Sequence, residues 1–178
     1  MAQIVHLSEY RDRIAVQAGF RAWRRRFDQP FDGRTRLNDL TPTILLALAE
    51  PTETSTALFY RLIIGFLGHG DNQAFSALDS RSQLRVVDIH LFLADQVRFE
   101  MMRRIGWLAR YGATQYPLFD MVRRFNEIQQ ACRQDPPALA PSHPAYPEYI
   151  ALTHRDRDVF IRRLLPAALE RFQQKFSI

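Results

Sequence analysis

An all-α fold is what this sequence predicts: one domain over residues 1–178, built as a bundle of six or seven helices around a long central helix. Three observations predict it. Apolar residues recur at helical spacing in several segments, proline and glycine fall between those segments, and no convincing alternating strand pattern appears. Apolar residues make up 47% of the 178 and charged residues 24%, ordinary globular usage that excludes a disordered chain. A chain of this length buries a substantial core without disulfide or metal staples.

The first element spans Ser8 to Phe27, with Ser8 as N-cap and Glu9 placed to favour the helix dipole. Val16, Phe20, Trp23 and Phe27 form one stripe, and Arg11, Arg21, Arg24 and Arg25 lie mainly opposite, so the helix is amphipathic and basic. Asp28 to Asn38, with Pro30 and Asp32-Gly33, reads as a loop. Thr41-Pro42 starts a short apolar helix that stops before Pro51. A helix from about Glu53 to Leu67 is apolar on almost every side and must be covered all round. Gly68-His69-Gly70-Asp71 reads as a helix end followed by a cap, Asp71 opening a short helix through Leu78.

The central helix is expected from Ser80, which has capping-box spacing to Gln83, to about Tyr111 before Gly112. That is roughly 30 residues, or about 45 Å. Leu84, Val87, Leu91, Met102 and Ile105 share one side and Val86, Leu93, Val97 and Leu108 another, which predicts neighbours on more than one face. Pro117 opens the next helix, with Leu118, Met121, Val122, Phe125 and Ile128 as its apolar stripe. Five prolines between Arg133 and Pro147 predict a loop. Thr153 or a near neighbour starts a last helix, kinked or divided at Pro166, with Ile161, Leu165, Ala168, Leu169, Phe172 and Phe176 on one side.

The lone Cys132 forms no intramolecular disulfide, and no export signal is visible at the N-terminus, so the cytoplasm is the expected compartment. The most apolar stretch, Ser55 to Gly68, is too short for a transmembrane segment and contains Arg61. Net charge is +5, and of 24 Lys and Arg residues only Lys175 is lysine. Arginine excess suits an acidic partner, but GC-rich coding produces it as well.

Two groups of residues are candidate binding sites. Arg21, Arg24, Arg25 and Arg26 present a basic helix face to nucleic-acid phosphates, with Arg162, Arg163, Arg171 and Lys175 joining if they converge. The same helix, with Trp23 and Phe27 in lipid headgroups, has the make-up of an interfacial helix; the plainer alternative puts both aromatics in the core. On the long helix Asp88, His90, Asp95 and Arg98 are the pocket candidates. Asp88 and Asp95 share a side, two turns apart, and with Arg98 suit either a buried polar cluster or a pocket; His90, two residues from Asp88, points elsewhere. His154 and Asp158, four apart, suit a metal or a solvated first turn.

No cofactor or metal is expected. Glu-x-x-His pairs, zinc-protease histidines, phosphate-binding glycine loops and a structural zinc set are all missing from the sequence. Cys132 sits on an apolar stripe, and no feature suggests a lowered thiol pKa. The leading expectation is a non-catalytic helical module for protein binding, either to a protein partner or by self-association. Nucleic-acid binding through the arginine face, and a small-molecule binder or enzyme with a pocket between the central helices, are the alternatives.

Overall fold

The computed structural model describes residues 7–70 and 73–178, so the proposed Asp71 cap lies outside the described residues. The protein is mostly helical. Nine helices occur among the described residues, seven of them of eight residues or more, and a small two-stranded hairpin accompanies them.

Helix α1, Leu7–Phe27, already includes Ser8, which therefore lies within the helix rather than capping it. Phe20 and Trp23 are fully buried, and the chain turns at Asp28, whose φ of 50° breaks the helix. Phe31 then folds back to stack on Phe20 at 5.2 Å. Helix α2, Pro42–Ala49, starts with Thr41 accepting from the Ile44 amide, and α3, Glu53–Phe66, with Thr52 accepting from Ser55. Helix α3 is covered on most but not all of its surface: it packs on α1, α2 and the long helix that follows, and Leu62, Ile63 and Phe66 are buried. Thr54, Ala57 and Arg61 form an exposed side, so it is not wrapped all round as expected.

The α1–α3 crossing is close because two glycines meet there. A Cβ on Gly65 would run into the Gly19 backbone and lie 2.8 Å from the Ala18 carbonyl carbon. A Cβ on Gly19 would strike the Phe66 ring and lie 2.8 Å from the Leu62 carbonyl oxygen. Trp23 locks the same pair of helices, its indole N–H donating to the Leu58 carbonyl at 3.1 Å.

Helix α4, Ser80–Arg104, starts at Ser80 as expected but ends well before Tyr111. Asp79, not Ser80, is the N-cap, its carboxylate accepting from the Ser82 amide at 3.0 Å. At the other end Gly106 takes a φ of 80°, and the amides of Gly106 and Trp107 return to the Arg103 and Met102 carbonyls. These bonds are a Schellman motif, which ends the helix at Arg104, eight residues before Gly112. Val86, Leu93 and Val97 are buried as expected, whereas Leu84 and Leu91, on the stripe expected to meet a neighbour, are 66% and 59% exposed.

Residues expected to continue α4 instead form β1, Leu108–Arg110, antiparallel to β2, Ala138–Leu139, with Leu108 opposite Leu139. The proline-rich stretch is therefore partly ordered as a strand, and the Ala140 amide donates to the Trp107 carbonyl at 2.8 Å. The helix opened by Pro117 is divided at Arg124 into α5, Leu118–Arg123, and α6, Phe125–Gln134. Its apolar stripe runs on across the break: Leu118, Met121, Val122, Phe125 and Ile128 are all buried.

Helix α7 is Tyr146–Ala151, α8 His154–Arg163 and α9 Leu165–Phe176. Thr153 caps α8, accepting from the Asp156 amide, and Pro166 in the first turn of α9 coincides with the division at Leu164. Ala168 and Phe172 seat α9 against α2 and α4. No helix among the described residues is long and apolar enough to cross a membrane.

Candidate functional site

The four polar candidates on the long helix do not come together. Asp88 is exposed on a groove between α4, α6 and α8 with a volume of ≈ 870 Å³, which Asp95 also lines. His90 faces away from it, toward α3, with ring centroids 5.3 Å from both Phe59 and Tyr60. Burial, and secondarily the Arg98 charge, push the His90 imidazole below its ordinary pKa, which favours its neutral form. Arg98 reaches back to the Ala49 carbonyl at 3.3 Å and lies 3.6 Å from Asp95.

Asp95 has a second partner that no local pattern revealed, Arg162 of α8 at 2.6 Å, which also binds Asp158 at 2.9 Å. Within the groove Asp88, Asp95 and Asp158 thus face Arg133, Arg155 and Arg162, and the charges balance. His154 lines the groove beside Asp158. Among the described residues no three His, Cys, Asp or Glu side chains converge as a metal-binding group.

Cys132 borders the groove at its α6 wall, half-buried. Burial, with a smaller contribution from Asp135, pushes its thiol up to about 11. A thiolate is the reactive form, so its alkylation by iodoacetamide in the folded protein is expected to be slow at pH 8 and to climb until about pH 11. In denaturant the same reaction should titrate near the ordinary value of about 8.5. Rapid alkylation of the native protein at neutral pH would contradict this environment.

The strongest polar cluster lies at the end of α4 and was missed in the sequence. Glu100 is fully buried. Its carboxylate accepts from Arg103 at 2.9 and 2.8 Å, from Arg104 at 2.7 Å and from the Tyr111 hydroxyl at 2.7 Å. Burial alone would raise its pKa, but these bonds outweigh burial and hold the carboxyl below its ordinary value. Arg104 also donates to the Leu37 and Asn38 carbonyls, tying α4 to the loop after α1. The signal available beforehand was an acid inside the apolar run Phe99 to Met102 with arginines three and four residues on. With every partner supplied internally, the cluster holds structure together rather than presenting groups to a ligand.

The four candidate arginines of α1 divide. Arg24 is a clamp: it donates to the Phe31 carbonyl at 2.6 Å and to Gln17 at 3.3 Å. Arg21 and Arg25, one turn apart, line a cleft between α1 and α3 together with Arg61. Arg26 is exposed. Trp23 is fully buried and hydrogen-bonded, which removes it from any headgroup layer and corrects the interfacial reading of this helix. Near the C-terminus Arg162 is held by Asp95 and Asp158, and Lys175 donates to the Arg104 carbonyl at 2.6 Å.

Sequence reasoning also missed the opposite end of α1. N-terminal to Ala15 no described residue of this helix is buried. Leu7, Tyr10 and Ile14, at i, i+3 and i+7, are 64%, 53% and 49% exposed and share one face. Among the described residues one ion pair, Asp12 to Arg123 at 3.6 Å, links this end to α5.

No protein-family model, curated protein or solved structure matches this chain. The class that fold and surface define is a mostly helical protein with, among the described residues, a mixed-charge groove, a cleft lined by three arginines and an apolar stripe exposed at one helix end.

Proposed function

We propose that this chain is a non-catalytic helical module that binds another protein, and that the first two described turns of α1 are the part that docks. The observation that carries this is the exposed stripe of Leu7, Tyr10 and Ile14 on two turns of helix that cover none of the protein's own core. Helix-in-groove recognition uses anchors at this spacing, because residues three, four and seven apart fall on one side of a helix. Large apolar side chains pointing into water in a row are unfavourable unless a partner covers them. Glu9, Arg11 and Arg13 beside the stripe supply a charged rim that sets orientation. A single cysteine, which cannot form an intramolecular disulfide, suits the reducing cytoplasm as the place where the pair meets.

Purification from the native host at moderate salt, followed by size-exclusion chromatography with light scattering, tests the proposal. Wild type should carry a stoichiometric protein partner, and L7S/Y10S/I14S should lose it while keeping its helical signal. Three anchors at about 1–2 kcal/mol each correspond to a loss of at least a hundredfold in affinity. A wild-type protein that elutes alone, or a triple variant that keeps the partner, overturns the proposal.

A further inference from the structure

We propose that the groove between α4, α6 and α8 holds an extended peptide segment of a partner protein, about five residues long and oppositely charged at its two ends. This gives the protein-binding reading a second site, one that does not depend on the α1 stripe. Gln96 carries the inference. It is 6% exposed, yet its carboxamide has no hydrogen-bond partner among the described residues. Among those residues no side-chain nitrogen or oxygen shut off from solvent lacks a partner, so this amide opens into the groove that Gln96 lines. A buried polar group without a partner is costly, and a ligand that bonds to it removes that cost.

The lining fits a peptide. Asn126 and Gln129, three apart on α6 and so on one face, also line the groove and have no side-chain hydrogen bond among the described residues. A carboxamide both donates and accepts, as each peptide unit does, so amides from α4 and α6 can hold a main chain whatever its side chains are. Leu91 and Val159, 59% and 46% exposed on the same groove, offer apolar surface to side chains that alternate along an extended chain. From Asp88 to Phe99 the groove follows α4 for three turns, roughly 16 Å, the span of about five extended residues. Its ends differ in charge. Asp88 lies one turn before Phe92, at the end where Phe92 packs on Phe125 with centroids 5.6 Å apart. Arg133 and Arg155 lie at the other end, where Phe99 approaches Tyr111, Gly112 meets Cys132, and Pro136 and Pro137 border the first turn of α8. None of these three charges has an ion-pair partner among the described residues, whereas Arg162, Asp95 and Asp158 satisfy one another. A segment with a basic residue facing Asp88 and an acidic one facing Arg133 and Arg155 complements both ends, which a compact ligand would not reach together.

The test screens bead-displayed pentapeptides with blocked termini, Lys-Xaa-Xaa-Xaa-Glu and Glu-Xaa-Xaa-Xaa-Lys, beside an uncharged Gln-Xaa-Xaa-Xaa-Gln library. The best binder is then titrated into the 15N-labelled protein. Binders are expected from a charged library, with the uncharged one at least about tenfold weaker. The side-chain amide resonances of Gln96, Asn126 and Gln129 should shift, and an equimolar mixture of blocked lysine and blocked glutamate should not displace the peptide. Q96L keeps the size and removes the amide; it should bind at least about tenfold more weakly with a Tm no lower than that of wild type, since the amide it lacks had no partner. R133E/R155E, at exposed positions, should lose as much with an unchanged circular dichroism spectrum, and it decides the matter if Q96L does not fold. No binder from either charged library at millimolar concentration, equal binding by the uncharged one, displacement by the blocked amino acids, or full binding by folded Q96L or by R133E/R155E each overturns the proposal. L7S/Y10S/I14S should bind the peptide as wild type does, so loss of a partner through α1 and loss of the peptide from the groove are read separately.

Discussion

Gly65→Ala should cost about 3 kcal/mol of stability, although alanine is ordinarily the better helix former by about 1 kcal/mol. The new methyl has nowhere to go: it meets the Gly19 backbone and lies 2.8 Å from the Ala18 carbonyl carbon, and backbone yields far less than a side chain. Relieving the contact means separating α1 from α3, which loosens Trp23 and Phe20 from Phe59 and Phe66. For a chain of this length the loss corresponds to a fall in Tm on the order of 10 °C, readable by circular dichroism. Gly19→Ala should follow the same direction with a smaller effect, because part of its obstruction is the Phe66 ring, which can turn. An increase in Tm for both variants would mean that the helices do not cross at this distance.

A comparable loss, about 3–5 kcal/mol, is expected for Glu100→Ala, which leaves Arg103, Arg104 and the buried Tyr111 hydroxyl facing a hole where their acceptor was. Glu100→Gln keeps the volume but not the charge and should lose less. The pH dependence has a definite sign. The folded-state pKa of Glu100 lies below its unfolded value, so its contribution is complete above the unfolded value of about 4.3 and is lost as pH falls through the folded one. The difference in Tm between wild type and Glu100→Gln should therefore be constant near neutrality and shrink below about pH 4. A gap that stays constant down to pH 2, or one that widens in acid, would show that the cluster is not held by the ionised carboxylate.

Much of the architecture was legible because it depends on neighbours within one turn. Thr41 and Thr153 cap their helices since a hydroxyl three residues before an orphan amide needs nothing else to reach it. Pro166 marks a division for the same local reason. The end of α4 was also written locally, in Gly106, but the apolar period through Leu108 outweighed it, and a strand residue that happens to be buried mimics one more helical turn. Leu84 and Leu91 show the limit of periodicity: it reports which side of a helix is apolar, not whether anything covers it.

The candidate site was less legible, because the destination of a long charged side chain is decided by what another element brings within reach. Arg21, Arg24 and Arg25 look alike in sequence, yet the return of Phe31 makes Arg24 a clamp while Arg61, 36 residues after Arg25, makes the other two part of a cleft. Asp95 was a plausible partner for Arg98 within its own helix, but Arg162 from α8 lies closer. Sequence by itself determined the mostly helical class, the apolar helix that is covered on most of its surface, and most helix starts, all consequences of backbone hydrogen bonding and side-chain spacing inside single segments. Only the tertiary structure decided which charges are spent on one another, which apolar side chains stay in water, and where three arginines meet, because each of those depends on contacts between residues far apart in the chain.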